Sequence, residues 1–202
     1  KLYVQSGTPC AKVAKICKER GYEQGVFFAG IPGTMGGALV MNAGAFGEET
    51  WNHVRFVEVI DENGCIIRLN QHEFHPFYRA LKTNHKIRFL SCVLEFKVGC
   101  SEKAKMNLKQ CMDKRNSTQP IGTFNCGSVF KNPYPHHAAS LIESCNLKGH
   151  SIQDASISMK HANFIENNGS ASSKDIRELI VYIKDQVANH HDVQLETEVI
   201  LI

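Results

Sequence analysis

Gly30-Ile31-Pro32-Gly33-Thr34-Met35-Gly36-Gly37-Ala38, running on into Asn42-Ala43-Gly44-Ala45-Phe46-Gly47, decides how the rest of the chain is read. Glycines packed this densely permit positive φ angles and let the backbone meet a ligand with no side chain between them. Successive N–H groups can then converge on one concavity and take an anionic or polar edge, such as a diphosphate or a flavin ring. The stretch lacks G-x-x-x-x-G-K-[ST], so it is no P-loop, and no G-x-G-x-x-G stands between a strand and a helix. On residue types alone, a run of tight turns reads equally well.

Toward the N-terminus, Lys1-Leu2-Tyr3-Val4-Gln5 reads as a strand, and Thr8-Pro9 as a helix start with a hydroxyl cap and Pro at the first helical position. Val13, Ile16 and Cys17 fall on one face of that helix, and Gly21 stops it. Toward the C-terminus, Val54 to Ile60 and Cys65 to Leu69 read as strands joined by Asp61-Glu62-Asn63-Gly64. Leu90, Cys92, Leu94, Phe96 and Val98 alternate with Ser91, Val93, Glu95 and Lys97, the pattern of a half-buried strand. The character changes around Gly99 to Ser101. Glu102 to Asn116 reads as a polar helix with Leu108, Cys111 and Met112 inward, and Ser117 to Pro135 as a loop. Leu141, Ile142 and Cys145 mark a short helix ending near Gly149. The strongest helix runs from about Lys174 to Ala188, with Ser172 and Asp175 at capping-box spacing and a stripe of Ile176, Leu179, Ile180, Ile183 and Val187. Leu195 to Ile202 reads as a closing strand. Strands and helices segregated in this way predict an α+β protein in two parts, residues 1–100 and 101–202.

Composition narrows the partners. With 43% hydrophobic residues in 202 the chain can pack a core, and a net charge of +3 without a basic run gives no sign of nucleic-acid binding. No apolar stretch approaches the ~20 residues that cross a bilayer, so the expected setting is away from membranes. Eight cysteines without C-x-x-C spacing read as reduced structural thiols of a cytoplasmic protein. The pairs His136-His137 and His190-His191 lack metal-ligand spacing, so no metal is expected. Opening in a strand without an initiator Met, the chain reads as the middle of a longer protein.

The segment from Gly30 to Gly47 resembles the flavin-binding segment of the UDP-N-acetylenolpyruvoylglucosamine reductases (MurB family). Arg115-Asn-Ser-Thr-Gln-Pro120 and Cys126-Gly-Ser-Val-Phe-Lys-Asn-Pro133 resemble the family's second signature. Leu141-Ile-Glu143 with Leu147-Lys-Gly149, Lys160-His-Ala-Asn-Phe164 and Leu195-Glu-Thr-Glu-Val199 resemble the following ones, in family order over nearly the whole chain. The resemblance implies the C-terminal part of a two-part flavin-binding domain (vanillyl-alcohol-oxidase/PCMH-like), then an α+β substrate-binding domain whose last strand is free to pack back on the first. It implies NADPH-dependent, FAD-mediated reduction of UDP-N-acetylglucosamine enolpyruvate to UDP-N-acetylmuramate. That step belongs to peptidoglycan precursor synthesis in the bacterial cytoplasm, and so serves cell shape and division. The expected enzyme is a monomer.

Site residues follow from the same resemblance. FAD falls to Gly30, Ile31, Pro32, Gly33, Thr34, Gly36, Gly37, Ala38, Asn42, Ala43 and Gly44. Ser128 is the implied proton donor, although a Ser after Gly is by itself an ordinary turn residue. Arg79 is the implied stabiliser of the enolate and carboxylate, a role its planar fork suits. Glu198 is the implied acidic partner. Glu196, two positions away on what would be the same strand face, competes for that role. Tyr78, Lys131, Asn132 and His161 match substrate-binding positions. The short link after Arg79 resembles the class without the tyrosine-bearing insertion. Phe46 stands where tyrosine is frequent, Gln153-Asp154 where glycines are usual, and Asp192 near a usual glycine. No G-x-G-S-N-like loop precedes Gly30, so this stretch alone is expected to hold FAD weakly or not at all and to be inactive. Two other readings stay open: a UDP-sugar-binding protein without catalysis, and a flavoprotein oxidase on a related fold, which would need a base in place of a proton donor.

Overall fold

In the computed structural model, which describes residues 1–84 and 86–200, contacts divide the chain into two units, Lys1–Arg115 and Asn116–Ile202. The first begins with β1 (Leu2–Gln5) and α1 (Cys10–Glu19). Pro9, not Thr8, occupies the cap position of α1, and no side chain caps it. Cys10 N–H instead donates to the Gly33 carbonyl at 3.0 Å, tying the helix start to the glycine-rich segment. Cys10, Val13, Ala14 and Cys17 are buried at the spacing of one helical face. A 3₁₀ stretch, Glu23–Gly30, leads to the short α2 (Met35–Val40) and to the paired β2 (Gly44–Ala45) and β3 (Glu48–Glu49).

The longer strands follow: β4 (Val54–Ile60), β5 (Ile66–Asn70), the small pair β6 (His75–Phe77) and β7 (Ala80–Lys82), then β8 (Arg88–Leu94). They form an antiparallel sheet in the order β1-β8-β4-β5, with β6 and β7 as a separate hairpin. The β4–β5 turn forms at Asp61–Gly64 as expected, because Asp61 Oδ1 accepts from the N–H of Asn63 and Cys65. The alternation expected for Leu90 to Val98 does not hold. Ser91 to Leu94 are all buried, and Val98 lies past the strand end at 78% exposure. Ser91 tolerates burial because its hydroxyl donates to Glu58 Oε2 at 2.6 Å, which also accepts from Tyr3. The unit ends in α3 (Ser101–Thr118). Ala104 and Leu108 pack into the first core while Met112 is exposed. The composition change at 99–101 therefore marks a helix start, and the division falls at its far end.

The second unit comprises β9 (Phe124–Ser128), α4 (Ala138–Ser144), β10 (Ser151–Ile152), β11 (Ala155–Ile157), β12 (Phe164–Asn167) and α5 (Ser173–His191). Its antiparallel sheet runs β10-β11-β12-β9. Helix α5 starts with the expected capping box, Ser172 and Asp175 each taking the other's backbone N–H. Leu179, Ile180, Ile183 and Val187 form its buried stripe, in one core with Leu141 and Ile142 of α4 and with Ala155, Ile157 and Ile165. The stretch from Ser117 to Pro135, a loop by its composition, contains the last residues of α3 and the edge strand β9. Phe124-Asn-Cys-Gly-Ser has little intrinsic strand preference and is ordered by pairing with β12. The expected closing strand is reduced to a single bridge, Thr197 with Phe130, and residues 201–202 lie outside the described ones.

Candidate functional site

Two kinds of glycine stand in the glycine-rich segment. At the first kind a Cβ would collide: 2.6 Å from the Phe46 ring at Gly30 and 2.5 Å from the Glu48 carbonyl at Gly44. At Gly36 the neighbour is Ser6, whose carbonyl accepts the Gly36 N–H at 2.8 Å. These glycines let three stretches of backbone pack. At Gly33 and Gly37 a Cβ would meet nothing, and Gly33 has φ +99°. Pro32 and Thr34 are also exposed, and at the two glycines a flat ligand can approach the backbone closely. Ser6 Oγ, against Gly36, is buried with no hydrogen-bond partner among the described residues. A flavin fits this exposed half of the segment. Ile31, Ala38 and Asn42 are buried, and the Asn42 amide is bonded to Glu49, Phe77 and Trp51.

Arg79 sits in the first unit, in the two-residue turn between β6 and β7, and has φ +53°. A left-handed conformation costs a non-glycine residue about 1 kcal/mol, so surrounding contacts must hold it. Its Nη2 donates to the Gly44 carbonyl at 3.0 Å, and its guanidinium lies 4.9 Å from the centre of the Tyr78 ring. Arg79 and Tyr78 therefore stand beside the end of the glycine-rich segment. That association was not legible from their separation in sequence.

Ser128 and Glu198 belong to the second unit. Ser128 ends β9, paired with Phe164. Just beyond it, Val129 O accepts from Glu198 N at 2.8 Å and Lys131 N donates to Glu196 O at 2.9 Å. Two segments seventy residues apart by number are thus laid side by side, which brings the hydroxyl-bearing and carboxylate-bearing residues onto adjacent backbone. Glu196 is committed elsewhere, since its carboxylate pairs with Lys131 Nζ. Around Thr197 the chain bends and forms no continuous strand, so the same-face argument linking Glu196 to Glu198 does not apply.

Asn132 Oδ1 accepts from Ala138 N at 3.0 Å and so fixes the start of α4. His161 is half-buried, edge-on to Phe164, and its Nδ1 accepts from Asn163 N at 3.3 Å. Burial holds its imidazole below the ordinary value, so the ring is neutral near pH 7 with the proton on Nε2. Asn163 lies inside the Lys160–Phe164 signature, and residue type alone does not announce its part. It is 4% exposed, accepts from Phe130 N at 2.9 Å and donates to Phe130 O at 2.8 Å. A third bond runs from Val129 N to its backbone carbonyl. Asn163 thereby sets the path of the chain leaving Ser128. Departures from the family pattern have a backbone explanation: Gln153 and Asp192 have φ +48° and +53°, where glycine would be unstrained.

The glycine-rich segment thus lies in one unit, and the hydroxyl-bearing and carboxylate-bearing candidates lie in the other. A FAD binding domain family matches residues 1–70, and the family described as UDP-N-acetylenolpyruvoylglucosamine reductase, C-terminal domain, matches residues 119–202. The chain belongs to the UDP-N-acetylenolpyruvoylglucosamine reductase family. It is 48% identical over 201 residues to the reductase of Coxiella burnetii (strain RSA 493 / Nine Mile phase I), covering all of this chain and 64% of that protein. The Alkalilimnicola ehrlichii reductase is 43% identical, with 67% of its length covered. The crystal structure of the Thermus caldophilus reductase superposes with a TM-score of 0.85 at 30% identity, covering 98% of this chain and 71% of that one. This chain thus spans just under two thirds of the Coxiella relatives. No helix among the described residues is long and apolar enough to cross a membrane.

Proposed function

We propose that the chain serves NADPH-dependent, FAD-mediated reduction of UDP-N-acetylglucosamine enolpyruvate to UDP-N-acetylmuramate, a cytoplasmic step in bacterial peptidoglycan synthesis carried out by a monomer. The first unit takes the flavin and contributes Arg79 and Tyr78, and the second contributes Ser128, Glu198 and the remaining substrate residues. The observation that carries the reading is the pairing of the Ser128 segment with the Glu198 segment through Glu198 N and Val129 O.

Reducing an enol ether next to a carboxylate requires a hydride at the terminal carbon and a proton at the carbon bearing the ether oxygen. Pro32, Gly33, Thr34 and Gly37 would hold FAD, which once reduced by NADPH would supply the hydride. Charge then builds on the substrate carboxylate, where the Arg79 fork meets it with two parallel N–H groups. Ser128 gives up its hydroxyl proton to the adjacent carbon and regains one from water. A lone hydroxyl is a weak acid, so Glu198 is assigned to ordering the hydrogen bonds through which that proton moves. Tyr78, Lys131, Asn132 and the neutral His161 flank the UDP-sugar. Lys131 can exchange its Glu196 partner for a phosphate oxygen.

The test is NADPH consumption by the holoenzyme. Oxidation that depends on the enolpyruvyl sugar and yields the lactyl ether in equal amount is expected. Binding of the UDP-sugar with no oxidation would leave only a binding protein, and oxygen uptake indifferent to the sugar would mark an oxidase.

A further inference from the structure

The Asn42 amide is 1% exposed, and the residue is in the left-handed region at φ +41°. One amide group reaches three residues on two other segments. Its Nδ2 donates to Glu49 Oε2 at 2.8 Å and to the Phe77 carbonyl at 3.0 Å, and its Oδ1 accepts from Trp51 N at 3.1 Å. Phe77 is the residue that opens the Tyr78–Arg79 turn, pairing across it with Ala80. At the other end of the same turn, Arg79 Nη2 donates to the carbonyl of Gly44, two residues beyond Asn42. The turn is therefore stapled to one short piece of the glycine-rich segment twice, through its backbone by Asn42 and through its guanidinium by Gly44.

We infer that Asn42 is a positioning residue for Arg79: it fixes the direction in which the guanidinium leaves a strained turn, and it does not contact the flavin. The inference rests on the reading that Arg79 holds the substrate carboxylate. Glu49 sets the amide's orientation, since a carboxylate partner can only accept and therefore demands the Nδ2 side. An aspartate at position 42 would set an acceptor against two acceptors, the Glu49 carboxylate and the Phe77 carbonyl.

The experiment compares Asn42→Asp with the pair Asn42→Asp/Glu49→Gln in the holoenzyme. In the pair, the amide introduced by Glu49→Gln donates to the carboxylate introduced by Asn42→Asp, which restores the bond between positions 42 and 49 and raises Tm relative to Asn42→Asp. The Phe77 carbonyl still lacks its donor. The pair is expected to keep a loss of about 10²-fold in flavin reoxidation by the enolpyruvyl sugar, the effect of a misplacement of about 1 Å. Reduction by NADPH stays at the wild-type rate. Recovery of the substrate half-reaction in step with Tm would reduce Asn42 to a packing residue and overturn the inference. If the aspartate variants do not fold, Asn42→Gly keeps the left-handed backbone, removes the amide and is judged by the same split between half-reactions. Arg79→Lys separates the two claims. An undiminished substrate half-reaction there removes Arg79 from its role, whereas loss there with none in the Asn42 variants removes only Asn42.

Discussion

Each unit steers a candidate catalytic residue with a buried asparagine, and the two do so by different means. Asn42 spreads one amide over Glu49, Phe77 and Trp51, and so ties three segments around the Arg79 turn. Asn163 spends its amide on a single residue, taking both the N–H and the carbonyl of Phe130, two residues past Ser128. The first acts as a hub and the second as a peptide-like clamp. A primary amide offers a donor and an acceptor in one plane, as a peptide group does, and can be set where no strand reaches. The difference teaches where each unit is vulnerable. Loss at the clamp orphans two buried backbone groups of one residue at once, while at the hub only the bond to the Trp51 N–H is fully buried and those to Phe77 and Glu49 are partly open to water.

The largest effect is therefore expected at the clamp. Asn163→Ala should destabilise the second unit by about 3 kcal/mol, since each buried backbone group left unsatisfied costs about 1–3 kcal/mol. Denaturant melts followed by amide signals of β12 check this, and a loss below about 1 kcal/mol would mean that water replaces the amide. Gly44→Ala tests the hub's side. A methyl group 2.5 Å from the Glu48 carbonyl has to push β2 from β3, at about 1–3 kcal/mol. Trp51, the sole tryptophan and buried beside the hub, should report that loss by fluorescence while the β12 signals stay unmoved. Asp192→Gly should do the reverse and stabilise the second unit by up to about 1 kcal/mol, because the residue closing α5 has φ +53°. A lower Tm would show that the aspartate contributes more than its strain removes.

Acid should separate the units by the smallest margin. Burial lowers the His161 pKa, so the unfolded chain binds a proton first. That contribution is complete above the ordinary histidine value of about 6.5 and fades as the pH falls through it. In the first unit, Glu23 is held low by the Cys100 N–H and Lys103, and Glu58 by the Ser91 and Tyr3 hydroxyls. Their contributions survive until the pH falls through the carboxylate range near 4. The β12 signals should weaken before Trp51 fluorescence shifts. Simultaneous loss of both would show that His161 does not set the order.

Legibility followed the physics of each region. Helix α5 announced itself, since a capping box and a 3.6-residue apolar stripe are local signals. The Asp61–Gly64 hairpin and the glycine-rich segment did too, because both depend on backbone freedom that residue type records. Strand β9 did not, since its order comes from pairing with β12. Ser91 broke the alternation of its strand because a buried hydroxyl had found Glu58, a partner 33 residues away. The separate identities of Ser128, Arg79 and Glu198 came through family resemblance. The asparagines that steer two of them were invisible as such, because a buried Asn and a surface Asn are spelled alike.

Transient kinetics of Ser128→Ala in the holoenzyme tests the central claim most directly, with the two half-reactions measured separately. If the hydroxyl gives the proton, flavin reduction by NADPH keeps its wild-type rate, and reoxidation by the enolpyruvyl sugar slows by about 10²–10⁴-fold, the share of a positioned general acid. Equal slowing of both halves, or of neither, would contradict the assignment.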